Sequence, residues 1–262
     1  NAAPGTIRKK VESLARAVDW HIRQKYQGDD NRVRELPSNP LRTLPKGYST
    51  YRDNDIVEGV ERRVDLVRDR RLLPGEDQKI EAAIQTKVRR NREDLLLMWR
   101  LIVNTGMRLR EAYRLRVRDI NHATRTIHVP RTKTGKARDI PITPLVGSYL
   151  AAHAMPTDPN DLVFGFWSGE VADLKKTTNR LSTQFSYLFK SAGCAGLTEH
   201  DLRHEATCRW MLMKDRAGRW QFRPEEVRRI TGHLSVQQFE RYLSLRGSEF
   251  ADRLWEEVSE PA

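Results

Sequence analysis

The chain has 262 residues, room for one large domain or two modest ones, and its 38% hydrophobic residues are enough to bury a real core. With 47 Lys and Arg against 35 Asp and Glu, a net charge of +12 and a pI near 9.9, its natural partner is a polyanion, with nucleic acid first in line. Two cysteines, Cys194 and Cys208, make neither a metal-ligand pair nor a disulfide framework, and no secretion signal, membrane span, repeat or low-complexity tract stands out, which points to a folded protein of a reducing cytosol.

In chain order, Ile7, Val11, Leu14, Val18 and Ile22 recur at helical spacing, so residues 6–26 form an amphipathic helix with a basic outer face. The chain starts at Asn1 without methionine, as an excised piece of a longer protein would. Residues 28–54 turn to Pro, Gly, Asn, Asp and Arg, including Asn39-Pro40 and Pro45-Lys46-Gly47, which is linker chemistry and marks a domain boundary. Residues 57–71 are densely charged and read as a helix or as a plain solvated segment. The larger domain opens near Pro74-Gly75-Glu76 with a helix through Ile84. A second helix over residues 93–103 carries Leu, Met, Trp and Ile on most sides, which places it in the core. Gly106 can close it in the left-handed conformation. On the helix that follows, Arg108 and Glu111 are three apart, near enough for the carboxylate to hold the guanidinium. A surface ion pair would look the same, but a tight turn off a buried helix can present Arg108 rigidly, while Arg110 points elsewhere.

Strands over 115–120, 125–130 and 137–142, with a turn at Thr134-Gly135-Lys136, predict a small antiparallel sheet inside a mainly α fold. Lys133 and Lys136 flank the turn, either as solvated hairpin lysines or within reach of a phosphate. Helices follow over 145–154 and 180–192, separated by a loop through Phe164-Gly165-Phe166-Trp167. Thr198-Glu199-His200-Asp201 is a capping box that sets His200 in the first turn of a helix and Arg203 one turn on, on the same face. Helix-start N–H groups, an imidazole and a guanidinium together describe a phosphate clamp. Pro224 opens a short helix, Gly232 closes it, and Ser235 with Gln238 boxes the next, so His233 sits in an elbow. Val236, Phe239 and Leu243 make a buried stripe with Tyr242 beside it, nine residues after His233; Tyr242 reads as a packed core tyrosine or as a held nucleophile. In the tail, Phe250, Leu254 and Val258 form a last apolar stripe that must be buried somewhere.

The chemistry of this set can be argued directly. No Asp/Glu cluster, His/Cys set or Gly-rich phosphate loop suggests a metal or nucleotide site, so no cofactor is expected and protein cations must meet the charge of a phosphodiester. Arg108 and Arg203 can stabilise charge growing on the non-bridging oxygens, and His233 can add a hydrogen bond. A tyrosine of pKa near 10 must lose its proton during attack, and His200 can take it. The departing sugar oxygen needs a proton, which a lysine can supply. A covalent phosphotyrosine conserves the bond energy, so a second DNA end can attack it without ATP.

Thr105-Gly106-Met107-Arg108 with Glu111, the hairpin Lys133, His200-x-x-Arg203, Gly232-His233 and Tyr242 together resemble the catalytic domain of the tyrosine recombinases, the phage integrase family, over residues 75–260. The resemblance implies the catalytic-domain fold of that family, mainly α with a small antiparallel β-sheet (α+β). It implies a layout of 1–36 as the C-terminal helix of a truncated core-DNA-binding domain, 37–73 as linker and 74–262 as catalytic domain. The implied catalytic residues are Arg108, Lys133, His200, Arg203, His233 and Tyr242, with no cofactor and no metal. The implied activity is site-specific cleavage and rejoining of duplex DNA through a 3'-phosphotyrosine, integrating or excising a prophage or mobile element. Implied partners are duplex DNA recombination sites, a homotetramer on two sites with the tail reaching a neighbouring subunit, and accessory DNA-bending or directionality proteins. No membrane is involved, and the setting is cytoplasmic and nucleoid-associated. Gln237, Gln238 and Phe239 stand where the family often has small hydroxylic residues, and Lys136 remains a second candidate for the general acid. A type IB topoisomerase would use similar residues; a non-catalytic basic DNA-binding regulator would explain the charge but leave the ordered set to chance.

Overall fold

The computed structural model describes residues 3–26, 38–50, 70–130, 136–240, 243 and 245–251. They belong to two units, 1–67 and 68–262. Among the described residues no helix is long and apolar enough to cross a membrane.

In the first unit, α1 (Pro4–Tyr26) is the expected amphipathic helix with Ile7, Val11, Val18 and Ile22 half-buried, but Ala15, 1% exposed, takes the inward place expected of Leu14, which is 56% exposed. The reason is a close approach of the following segment, which a small side chain permits. Asn39 donates through Nδ2 to the Ala15 carbonyl (2.8 Å) and to Asp19 Oδ1 (2.6 Å), while its Oδ1 accepts from Leu41 N (3.0 Å) and caps a single 3-10 turn, Pro40–Arg42. Arg42 then pairs with Asp19 (2.7 Å) and Glu12 (2.8 Å). Residues 39–42, which composition assigns to a linker, therefore fold back on the helix. Of the charged segment 57–71, all but Arg70 and Arg71 lie outside the described residues.

The second unit is built around two buried helices. α3 (Arg92–Thr105) buries Leu95 through Trp99 and Leu101 through Val103, as its apolar composition requires. It packs against α7 (Asp201–Met211), whose residues are buried on every side apart from the half-buried Arg209. α2 (Glu76–Lys87) and α5 (Pro144–Ala151) flank α3, and α6 (Leu174–Ser191) contributes Phe185 and Phe189, the latter edge-on to Trp99 at 6.0 Å. α6 begins six residues earlier than the periodicity alone suggests, directly out of a 3-10 turn, Val171–Asp173.

The sheet has the order β1-β2-β3, all antiparallel: β1 (Ile120–Asn121), β2 (Thr126–Val129) and β3 (Arg138–Pro141). Ile120, Ile127 and Ile140 face one another across the three strands and form its buried row. Residues 115–119 are not a strand. Asp119 accepts the Arg116 N–H (2.9 Å) and winds Val117–Asp119 into a 3-10 turn, while Leu115 and Val117 spend their backbone bonds on Val163 and Asp161. The hairpin segment 131–135, including Lys133, lies outside the described residues.

After α7 come α8 (Pro224–Thr231), closed by Gly232 at φ +72°, and α9 (Val236–Glu240). Within the expected stripe Phe239 is buried and Leu243 half-buried, but Val236 is exposed, because a one-turn helix following a tight elbow offers only one inward position. Residues 247–251 start a further helical turn. Glu249 pairs with Arg71 (2.7 and 2.8 Å) and Arg246 donates to the Leu72 carbonyl (2.8 Å), so the beginning of the tail is held by its own unit. Phe250 is exposed there, and Leu254 and Val258 lie outside the described residues.

α3, α7 and α8 meet at Gly106. Its φ of +73° is left-handed, and a Cβ added there would lie 3.4 Å from Thr231 Cγ2 and 3.5 Å from Ala206 Cβ. Gly106→Ala should therefore lower the unfolding free energy by about 1–2 kcal/mol from backbone strain alone. Gly165→Ala, at a non-strained position with 4.0 Å to its nearest neighbour, should stay within about 0.5 kcal/mol of the parent. Urea unfolding of the three proteins measures the difference, and equal midpoints would refute this view of the turn.

Candidate active site

The site grows from that glycine. Because Gly106 turns left-handed, α3 stops and its carbonyl faces α7, where Arg203 donates to it through Nη1 at 2.5 Å. Two residues on, Arg108 is extended (φ −70°, ψ 150°) as the N-cap of the one-turn helix α4 (Leu109–Ala112). Glu111, in the last turn position but one, accepts the Arg108 backbone N–H at 2.9 Å and Arg108 Nη1 at 2.9 Å. The carboxylate thus orients both the backbone and the head group of Arg108, whose side chain keeps 46% of its surface open. Arg203, at 2% exposure, forms the floor of the site.

Glu111 serves a second arginine that the sequence reading missed. Arg138, the first residue of β3, places its fork on both carboxylate oxygens (Nη1–Oε1 3.2 Å, Nη2–Oε2 2.7 Å) and donates through Nε to the Ile230 carbonyl at 3.0 Å. A signal was available: Arg138 is two residues before Ile140 and pairs across the sheet with buried Val129, so a charged residue occupies the apolar face of the strand. Burial pushes the Glu111 carboxyl up, but the hydrogen bonds and charges of Arg138 and then Arg108 outweigh it and hold the pKa down to about 2.

His200 is the N-cap of α7 rather than a residue of its first turn. The expected capping box closes differently: Asp201 Oδ2 accepts both the backbone N–H and the hydroxyl of Thr198, each at 2.8 Å, which winds one turn before the helix proper. Arg203 N then donates to the His200 carbonyl (3.1 Å), keeping the two side chains one turn apart on one face. Burial and the Arg203 charge lower the His200 pKa, against the pull of Asp201 and Glu199, so the ring is neutral near pH 7 and able to accept a proton.

His233 occupies the elbow between α8 and α9, buried against the Phe239 ring at 5.8 Å. Its Nδ1 lies 2.8 Å from Thr231 Oγ1, and that hydroxyl donates to the Val227 carbonyl at 2.7 Å. With the hydroxyl proton on Val227, Nδ1 carries the ring proton; when Thr231 turns its proton to Nδ1, Nε2–H becomes the donor. Burial, then the charges of Arg203, Arg108, Arg138 and His204, press the His233 pKa down to about 2, so it acts as a neutral group. Gly106 brings the segments together: Arg203 bonds to its carbonyl, and Thr231, two residues before His233, packs against it. Lys133 and Tyr242 lie outside the described residues; Lys136 is exposed beside the hairpin. Arg110 does point elsewhere, donating to Thr178 Oγ1 (3.4 Å) in a cavity shared with Arg114, Arg118, His128 and Trp167. Among the described residues no three His, Cys, Asp or Glu side chains come together as a metal site would need.

The model of the phage integrase family matches residues 70–249, well over half of the chain. The shufflon-specific DNA recombinase of Escherichia coli is 28% identical over 207 residues, covering 79% of this chain and 48% of that protein, so the chain spans about half the length of the curated relative it matches. Among solved structures, the Tn1549 transposon integrase in complex with circular intermediate DNA gives a TM-score of 0.56 at 18% identity over 98% of this chain and 81% of that one. XerA recombinase gives 0.51 at 22% identity over 73% and 64%. Those two likenesses establish the fold. With the family match running from Arg70 through the Arg108 turn, α7 and the His233 elbow, this chain belongs to the phage integrase family.

Proposed function

We propose that this chain cleaves and rejoins duplex DNA at specific sites through a covalent phosphotyrosine on Tyr242. The observation that carries this reading is the meeting of three separate stretches at the Gly106 turn: Arg108 follows it, Arg203 bonds to its carbonyl with His200 one turn away, and Thr231, two residues before His233, packs against it. Arg108 and Arg203 meet the charge that grows on the non-bridging oxygens, the first from an open face and the second from the buried floor. His233, neutral, donates to one of those oxygens, and His200, also neutral, accepts the Tyr242 proton. Lys133, or Lys136 on the same hairpin, protonates the departing 5' oxygen. The bonds made and broken are equal in kind: a phosphodiester becomes a phosphotyrosine and an alcohol, and a second DNA hydroxyl reverses the exchange. No step needs a metal or a nucleotide cofactor.

The net charge of +12 and the cavity lined by Arg110, Arg114, Arg116 and Arg118 support duplex DNA as the partner. In this reading unit 1–67 contains the end of a core-DNA-binding domain, the protein works beside the nucleoid in the cytoplasm on a prophage or mobile element, and a homotetramer pairs two sites with the help of DNA-bending or directionality proteins. The tail beyond Ala251 would engage the neighbouring subunit while Glu249 stays on Arg71.

Because its target is unidentified, the protein should first select duplexes from a randomised pool, and these, nicked at successive positions, serve as substrates. Tyr242→Phe should bind them as the parent does and form no protein-DNA adduct on a denaturing gel. Adduct with the variant would remove Tyr242 as nucleophile.

If Lys133 donates the leaving-group proton, Lys133→Ala should cleave ordinary DNA about 100-fold or more slowly, the usual size of a general-acid contribution, and recover on DNA whose bridging 5' oxygen is sulfur. Recovery in Lys136→Ala instead moves the role three residues along.

Deleting residues 252–262 should leave single-site binding intact and abolish the slow-migrating complex of two duplexes in a native gel. Normal pairing by the shortened chain would make the whole tail an element of its own domain.

A further inference from the structure

We infer that Arg138 is a positioning residue for strand cleavage: by gripping Glu111 and the Ile230 carbonyl together, it sets Arg108 and His233 relative to one another. The inference rests on the function proposed above and deepens it. Arg138 is the one described side chain seen to bond both to the carboxylate that orients Arg108 and to the helix end that leads into His233. Its side chain is 9% exposed, and Nε, Nη1 and Nη2 all donate to protein acceptors, which commits the fork to holding these segments together.

The closeness of the fit argues the same way. A Cβ on Gly232 would lie 2.9 Å from Arg138 Cδ and Nε and 3.0 Å from Cζ. The guanidinium therefore runs directly over the backbone of the residue before His233, and it is pinned at its far end by Glu111. A planar fork with a third N–H at right reach is required; a lysine ammonium carries the same charge but cannot bridge two carboxylate oxygens and a carbonyl. Displacing a catalytic group by about 1 Å costs on the order of 100-fold in rate, so the geometric role is kinetically visible even if the fold survives.

The test is a double-mutant cycle on single-turnover adduct formation at saturating selected duplex, with the half-saturating DNA concentration and the melting curve recorded for each protein. Arg138→Lys should melt cooperatively, keep half-saturation within about threefold, and cleave about 10–100-fold more slowly. Glu111→Gln should also be slow, and adding Arg138→Lys to it should cost less than about threefold more, because the bridge from Arg108 to the His233 elbow runs in series through Glu111 and Arg138 and is already broken at its Glu111 end. An Arg138→Lys rate equal to that of the parent, or losses that multiply, would overturn the inference. If Arg138→Lys does not fold, the pair Glu111→Gln with Arg138→Met removes both buried charges together and takes its place. Its rate should match Glu111→Gln alone, and a further multiplied loss again overturns the assignment. Absence of adduct from the unaltered protein defeats the proposed function itself, which separates the two failures.

Discussion

A single buried carboxylate organises the catalytic unit. Glu111 receives Arg138 from the sheet and Arg108 from its own turn, and Arg138 carries the link on to the end of α8. Breaking one partner out of a buried ion pair costs about 3–5 kcal/mol, because the remaining charge is left in a poor solvent. The sheet, α4 and α8 must therefore come into register together or not at all. Since the cations hold the carboxyl near a pKa of 2, the arrangement stays charged across any physiological pH. The consequence for chemistry is a fixed Arg108, which a surface pair of the same residues three apart could not guarantee.

α7 carries the same logic on two sides. Arg203 faces the Gly106 carbonyl, while Glu205, two residues along and so on a different face, takes Arg71 (3.1 Å) and Arg209 (2.8 Å), and Arg209 reaches on to Asp77 and Asn104. Arg71 also holds Glu249. The helix that supplies the site's floor thereby ties the segment leading into the unit to the segment that follows Tyr242. A helix anchored by side chains on opposite sides has little freedom to rotate.

The electrostatic outcome is unusual for histidines. His233 and His200 lie where burial and arginine charge both disfavour the imidazolium, so each ring is held toward its neutral form. For His233 the proton's location is then a matter of the Thr231 hydroxyl, which has one hydrogen to give and two acceptors, the Val227 carbonyl and Nδ1, within 2.7 and 2.8 Å.

The amino-acid sequence by itself determined the mainly helical architecture, the core role of α3, the hairpin, the left-handed stops at Gly106 and Gly232, and the ordered set Arg108, His200, Arg203 and His233, because apolar periodicity, glycine caps and short motifs are local properties of the chain. Asn39 packing on Ala15 and the loss of a strand at 115–119 were decided by neighbours distant in sequence, through the Asn39 bond to the Ala15 carbonyl and the backbone bonds of Leu115 and Val117 to Val163 and Asp161, which no local pattern records. Arg138 is the sharpest case. Its position on the apolar face of β3 was readable, but its meaning was not, since Glu111 lies 27 residues away and Ile230 lies 92 away. Only folding brings that carboxylate and that carbonyl to one guanidinium, and the cost of burying the charge unpaired is what makes the tertiary structure choose this arrangement.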